Sequence, residues 1–171
     1  MVGRVQRWNE VTLDDVAGPA APDLVLSGPG PGDPTDLTQP RIARLHELVS
    51  ARLEAGGALV AVCLSHQVLA HLAGLPIERL DEPHQGVQLE VDWFGLPARI
   101  GFYNTFVARG PAAGGVRVAG RELEVTAEPG SGAVRGLRGP GVATIQGHAE
   151  SVLSADGLPV LREMVRHALG A

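Results

Sequence analysis

The chain has 171 residues, 44% of them hydrophobic, a formal net charge of −5 and a mean hydropathy of +0.10, which suits one packed domain over residues 1–171. Asp and Glu (19) outnumber Lys and Arg (14) only slightly and no basic stripe is present, so neither nucleic acid nor an anionic membrane surface is an expected partner. No apolar run reaches membrane-spanning length and no apolar leader opens the chain; the single cysteine, Cys63, allows no internal disulfide and no CxxC site, so a cytoplasmic setting is expected.

In chain order, "MVGRVQRWNEVTLDDV" offers at best the end of a strand, then Thr12 as the cap of a helix opening at "TLDD". "APDLVLSGPGPGDP" starts as an apolar strand at Leu24–Leu26 and passes into Gly28, Gly30 and Gly32 with interleaved prolines. Such a turn breaks a helix and lets backbone approach a ligand. Ile42, Leu45, Leu48, Val49 and Leu53 then recur at helical spacing, with Thr38 as cap, Pro40 in the first turn and Gly56-Gly57 as the stop. "ALVAV" (58–62) is continuous and apolar, as a strand buried on both faces must be, and a helix follows from about Leu64 to Ala73. Strand, helix, strand, helix predicts a mostly parallel open α/β sheet flanked by helices.

The later chain changes character. "GVQLEVDWFG", "ARIGFYNTFVAR", "VRVAG", "ELEVTAEPGSGAVRGL" and "GVATIQG" read as short strands split by Gly and Pro turns, an antiparallel portion with "PGSG" (129–132) as a hairpin tip. "GLPVLREMVRHAL" (157–169) closes as an amphipathic helix with Leu158, Leu161, Met164, Val165 and Leu169 on one face.

Cys63 stands where the 58–62 strand ends and the next helix begins. In open α/β sheets, ligands bind at the carboxyl ends of strands. A nucleophile on such an elbow is exposed beside a helix N-terminus that favours thiolate, and the next backbone N–H helps form an oxyanion hole. Taken alone, the cysteine is better explained as a small buried hydrophobe. Gln67, four residues on, rises from the same helix face. Of six histidines, His46 and His167 read as solvated helix residues, His66 and His71 as packing or surface, and His84 as an unassigned loop residue. His148 follows the strand "GVATIQG", and Glu150 two residues later can orient its imidazole.

"SGPGPGDP", "VCLSHQ" and "QGHAES", in that order, resemble the "SPGPGDP", "CLGHQ" and "QFHPES" motifs of the class I glutamine amidotransferases, over nearly the whole chain. The resemblance implies a flavodoxin-like α/β fold and hydrolysis of L-glutamine. Cys63 would attack the amide, His148 would act as base and then as acid to the leaving ammonia, and Glu150 would support it. It implies further that Gly30, Pro31 and Gly32, with the N–H of Leu64, form the oxyanion and glutamine-positioning loop. Gln67 would read the glutamine side chain, and Thr105 and Phe106 of "NTF" would meet the glutamine backbone. "HQGVQ" (84–88), "DWFG", "GFYNTF" (101–106) and "LRGPG" are similar to the glutaminase domain of phenazine-pathway 2-amino-2-desoxyisochorismate synthases and related fused anthranilate synthases. Ammonia would then pass to a chorismate-binding synthase domain or subunit. That partner carries Mg2+, while this chain carries no cofactor and no metal site.

Three departures sharpen the expectations. Ser65 replaces the family's usual glycine. Members open with a strand and helix ahead of the region matching "VQRWNEVTLDD", so the resemblance implies an N-terminally shortened domain with exposed apolar sheet edge and helix faces. Gly147 stands where Phe is usual; a large-to-small change costs roughly 3–5 kcal/mol unless neighbours fill the space, and packing beneath His148 is expected to loosen. Two other readings share this fold class: a degenerate, non-catalytic binding domain, and a stand-alone γ-glutamyl cysteine hydrolase.

Overall fold

The computed structural model describes residues 3–111 and 113–171. In chain order these form α1 (Leu13–Ala17), β1 (Leu24–Ser27), α2 (Pro40–Glu54), β2 (Ala58–Val62), α3 (Leu64–Leu72), β3 (Ile77–Arg79), β4 (Val87–Trp93), β5 (Leu96–Phe102) and β6 (Phe106–Ala108). Then follow β7 (Ala113–Val118), β8 (Arg121–Ala127), β9 (Val134–Gly139), β10 (Val142–Ile145) and α4 (Gly157–Leu169). The main sheet has the order β1-β2-β10-β9-β8-β7. It is mixed: β1, β2 and β10 run parallel, whereas β9, β8 and β7 continue antiparallel. This matches the expected α/β architecture, parallel on its N-terminal side and antiparallel later.

β2 lies between β1 and β10, and its residues pack into a core on each face of the sheet. Leu59 and Ala61 face one side with Val49 and Leu53 of α2 and Val68 and Leu69 of α3. Val60 and Val62 face the other with Ile145 of β10, Met164 of α4, and Ile100 and Phe102 of β5. The alternation is the period of two that a strand imposes, and burying each of the valine, leucine, isoleucine, phenylalanine and methionine side chains contributes about 1.5–3 kcal/mol. The β4–β5 hairpin lies over this second face, pinned where the Trp93 indole donates to the Thr144 carbonyl at 2.9 Å.

α1 opens as expected: Thr12 accepts from the Asp15 N–H, and the Asp15 carboxylate accepts from the Thr12 N–H, a reciprocal cap. The α2 cap differs. Gln39 takes that position and its side chain donates to Asp36 rather than capping the helix, while Thr38 is committed to the same Asp36 carboxylate. His46 differs too: it is buried, with Nε2 2.8 Å from the Pro34 carbonyl. It shares a helical stripe with Ile42, Val49 and Leu53, and the turn after β1 folds over it. α4 has the expected bounds, but its buried stripe is Gly157, Val160, Met164 and Ala168, with Leu158 and Leu169 exposed. The small residues let the helix sit close to the sheet, and that closeness decides the face.

β1 is the edge strand, and Leu26 is 53% exposed there. Between β1, α2 and the 6–16 segment lies an apolar cavity of about 460 Å³, lined in part by Trp8, Val11, Val16, Leu26 and Leu45. α1 covers part of α2 and buries Val16, while the outer edge of β1 stays exposed. Arg52 ties this region together, donating to the carbonyls of Val16, Pro22, Asp23 and Ala58. No helix among the described residues is long and apolar enough to cross a membrane.

Candidate active site

β2 and β10 are adjacent and parallel, so their carboxyl ends bring Cys63 and the 146–150 segment together although 85 positions separate Cys63 from His148. The Cys63 N–H donates to the Ile145 carbonyl at 2.9 Å, and its carbonyl accepts from the Gln67 N–H at 3.0 Å as α3 begins. Between these anchors Cys63 adopts φ 52°, ψ −107°, a conformation that L-residues with a Cβ avoid at a cost of about 1–3 kcal/mol. Strand and helix over-determine the turn, and the strain puts the thiol at the head of the helix. The side chain is buried at 5% exposure.

His148 is held by its backbone: its N–H donates to the Gly101 carbonyl at 2.8 Å, and its carbonyl accepts from Ser154 Oγ. Its Nδ1 lies 2.8 Å from Glu150 Oε1, as expected, but the two meet within a turn rather than across extended chain. Nε2 is buried, makes no hydrogen bond of ordinary geometry, and has the Cys63 sulfur as the polar neighbour that acts on it. The Cys63 sulfur first, and the Glu150 carboxylate second, raise the imidazole to about 9 against the opposing effect of burial, so it is cationic at neutral pH. Burial pushes the Glu150 carboxyl up, but the His148 hydrogen bond, a backbone N–H and the imidazolium charge outweigh it and hold the group low. The His148 imidazole and the carboxylate that orients it thus stand at the same sheet end as the Cys63 sulfur.

The glycine-rich turn reaches the same sheet end. Gly32 has φ 133°, and a Cβ there would lie 2.8 Å from Ile42 Cδ1, so only glycine fits; a Cβ on Gly30 would lie 3.2 Å from Leu64 Cδ2. Gly30, Pro31 and Gly32 are exposed beside the start of α3, whose first N–H groups have no helical acceptor. Ser65 secures this approach. Its hydroxyl donates to the Gly28 carbonyl at 2.7 Å and therefore accepts from Ser27 Oγ at 2.8 Å. The departure from glycine adds a fastener between elbow and loop.

Gln67 is buried, with Nε2 2.6 Å from the Phe106 carbonyl and 3.0 Å from Gln146 Oε1, so its NH2 group is used within the protein. Thr105 and Phe106 are half-buried at the start of β6. The Gly147 expectation is corrected. A Cβ there would lie 2.4 Å from Ile100 Cγ2 and 3.0 Å from Phe102 Cζ, so fully buried β5 side chains already occupy the space beneath His148. His66, at 0% exposure, is held neutral with its imidazole lowered to about 3 by burial; Nδ1 meets Thr144 Oγ1 at 2.7 Å. His71 is exposed, and His167 Nε2 lies 3.1 Å from the Gly139 carbonyl.

Two site residues escaped sequence reasoning. Tyr103 meets His148 edge-on, centroids 5.1 Å apart, and its hydroxyl is 3.3 Å from Ser151 Oγ. Gln146, fully buried, points Nε2 at Cys63 Sγ from 3.9 Å. Its one sequence signal was a polar amide closing an otherwise buried strand. Among the described residues, no group of three or more His, Cys, Asp or Glu side chains is placed to hold a metal ion.

Residues 4–168 match the family model for class-I glutamine amidotransferases. The chain is 43% identical over 148 residues to a phenazine-specific anthranilate synthase of Pseudomonas fluorescens, covering 86% of this chain and 23% of that protein. It is 32% identical over 150 residues to anthranilate synthase component 2 of Archaeoglobus fulgidus, covering 84% of this chain and 74% of the relative. A solved structure of a glutamine amidotransferase from Thermotoga maritima superposes with a TM-score of 0.54 at 17% identity, over 86% of this chain and 64% of that one, which speaks for the fold alone. With the elbow, the glycine-rich turn and the matched region in agreement, the chain belongs to the class I glutamine amidotransferases.

Proposed function

We propose that this domain hydrolyses L-glutamine and supplies the ammonia to a chorismate-utilising synthase that makes aminodeoxyisochorismate or anthranilate. The observation that carries the reading is the Cys63 sulfur at a strained strand-to-helix turn beside the Glu150-oriented imidazole of His148, which takes the thiol proton and holds it as the imidazolium. The Cys63 thiolate attacks the side-chain amide carbon, and backbone N–H groups of the 30–32 turn and Leu64 stabilise the oxyanion. His148 gives its proton to the leaving ammonia, leaving a γ-glutamyl thioester on Cys63. It then takes a proton from water, which attacks the thioester and releases glutamate. Gln67, Thr105 and Phe106 position the substrate.

The likeness to proteins named anthranilate synthase supports the choice of acceptor, and the chain spans about a quarter of the length of the phenazine-specific relative. Magnesium, which the synthase reaction is expected to need, would be held by that partner. The test pairs the domain with its synthase. Cys63→Ala should abolish glutamine-dependent synthesis and leave ammonia-dependent synthesis intact; full glutamine-dependent activity in Cys63→Ala would overturn the reading.

A further inference from the structure

We propose that Gln146 stabilises the Cys63 thiolate by donating to its sulfur, and that a one-way hydrogen-bond chain through Gln67 from the Phe106 carbonyl holds that donor in place. The inference rests on Cys63 being the nucleophile.

The direction of the chain follows from chemistry. A backbone carbonyl only accepts, and the Phe106 carbonyl receives Gln67 Nε2 at 2.6 Å and Asn104 Nδ2 at 2.9 Å. That settles which end of each amide lies there. Gln67 uses its second N–H toward Gln146 Oε1, 3.0 Å away, so the Gln146 NH2 group must face Cys63 Sγ. On the other branch, Asn104 Oδ1 faces His84 Nδ1 at 3.0 Å, which then carries its proton. Gln67, Asn104 and Gln146 are at most 3% exposed, so water cannot replace a lost partner. Turning Gln67 over would set its oxygen against both the Phe106 carbonyl and Gln146 Oε1. Two buried acceptor–acceptor contacts keep it from turning.

An N–H aimed at sulfur favours the charged thiolate over the thiol. The segment expected to meet substrate, 104–106, is thus also the anchor of the nucleophile's donor. Other titratable groups around the sulfur come from separate elements. His148, backed by Glu150, faces it from the segment after β10. His66 on α3 is turned to Thr144, Arg135 on β9 pairs with Glu128, and His84 lies beyond Asn104. Gln146 is therefore the uncharged donor on the sulfur, and its removal changes no charge. Gln67 is a positioning residue that acts through it.

The test is the pH profile of Cys63 alkylation by iodoacetamide, which reads one thiol because the chain has one cysteine. Gln146→Leu should move the midpoint up by about one unit, so alkylation below the midpoint slows about tenfold. Gln67→Leu should move it in the same direction by less, and the double variant no further than Gln146→Leu alone, since the two act in series. Gln146→Glu keeps the shape, turns the donor into a carboxylate and should raise the midpoint further; it serves if the leucine variant fails to fold. A packing role alone would change melting temperature or overall rate without moving the midpoint. An unmoved midpoint in folded Gln146→Leu or Gln146→Glu, or shifts that add, would overturn the proposal. Moved midpoints with an active Cys63→Ala enzyme would instead leave the donor chain standing and remove the nucleophile assignment.

Discussion

Gly147→Ala probes the least expected feature of the site. The new methyl would sit 2.4 Å from Ile100 Cγ2 and about 3 Å from the Phe102 ring edge, closer than real Cβ contacts come. Neither neighbour has free space to move into: Ile100 and Phe102 are fully buried, and the Arg135 guanidinium lies 5.0 Å above the Phe102 ring. Overpacking of this kind costs about 1–3 kcal/mol. For a domain of this size that lowers the melting temperature by roughly 2–4 °C per kcal/mol, so about 2–12 °C in all. Ile100→Ala removes the nearest atom at its own cavity cost, and in that background the added methyl should cost less, with a coupling of about 1 kcal/mol or more. Thermal melting of the two single variants and the double variant measures this directly. A Gly147→Ala protein that melts with the wild type would refute the claim that β5 fills the position under His148.

The remaining predictions concern the site's electrostatics and fastening. The His148 ring, followed by NMR and identified by comparison with His148→Asn, should titrate near 9. Cys63→Ala should move it down further than Glu150→Gln does, because the sulfur is the larger cause; a wild-type midpoint at the ordinary 6.5 would contradict the pairing. Since the folded value is raised, the stability this interaction adds is full below pH 6.5 and is lost as pH rises through 9. Ser65→Ala removes the tie between elbow and glycine-rich turn. One buried hydrogen bond contributes about 1 kcal/mol, so glutaminase kcat/KM should fall about fivefold; unchanged kinetics would show that the turn keeps its place without it.

Local pattern was enough for some elements. The all-apolar run 58–62 is β2 to the residue, because a strand buried on both faces needs no polar position. Proline and glycine bounded α2 and α3, and the Thr12–Asp15 spacing marked α1. The strand end at Cys63 was legible locally, but its reading as a nucleophile came from the resemblance of "SGPGPGDP", "VCLSHQ" and "QGHAES", in that order, to a known family; alone the cysteine reads as a small buried hydrophobe. What lay beyond reach depends on neighbours distant in sequence. His46 looked solvated until the Pro34 turn folded over it, and the α4 stripe followed the small residues that allow close approach rather than the large ones. Gly147 looked like a vacancy because nothing local shows that Ile100 and Phe102, more than 40 positions earlier, would fill it. The Gln67–Gln146 contact spans 79 positions and the Gln146–Cys63 contact 83, and neither residue's own context marks it as a partner.

The central claim is that Cys63 forms the covalent bond to the glutamine side chain. A diazo-ketone analogue of glutamine, incubated with the domain and its synthase and followed by peptide mass mapping, tests it most directly. One adduct on Cys63, suppressed by excess glutamine and slowed in His148→Asn, is the expected result. Labelling at any other residue, or an adduct on Cys63 that glutamine does not suppress, would contradict it.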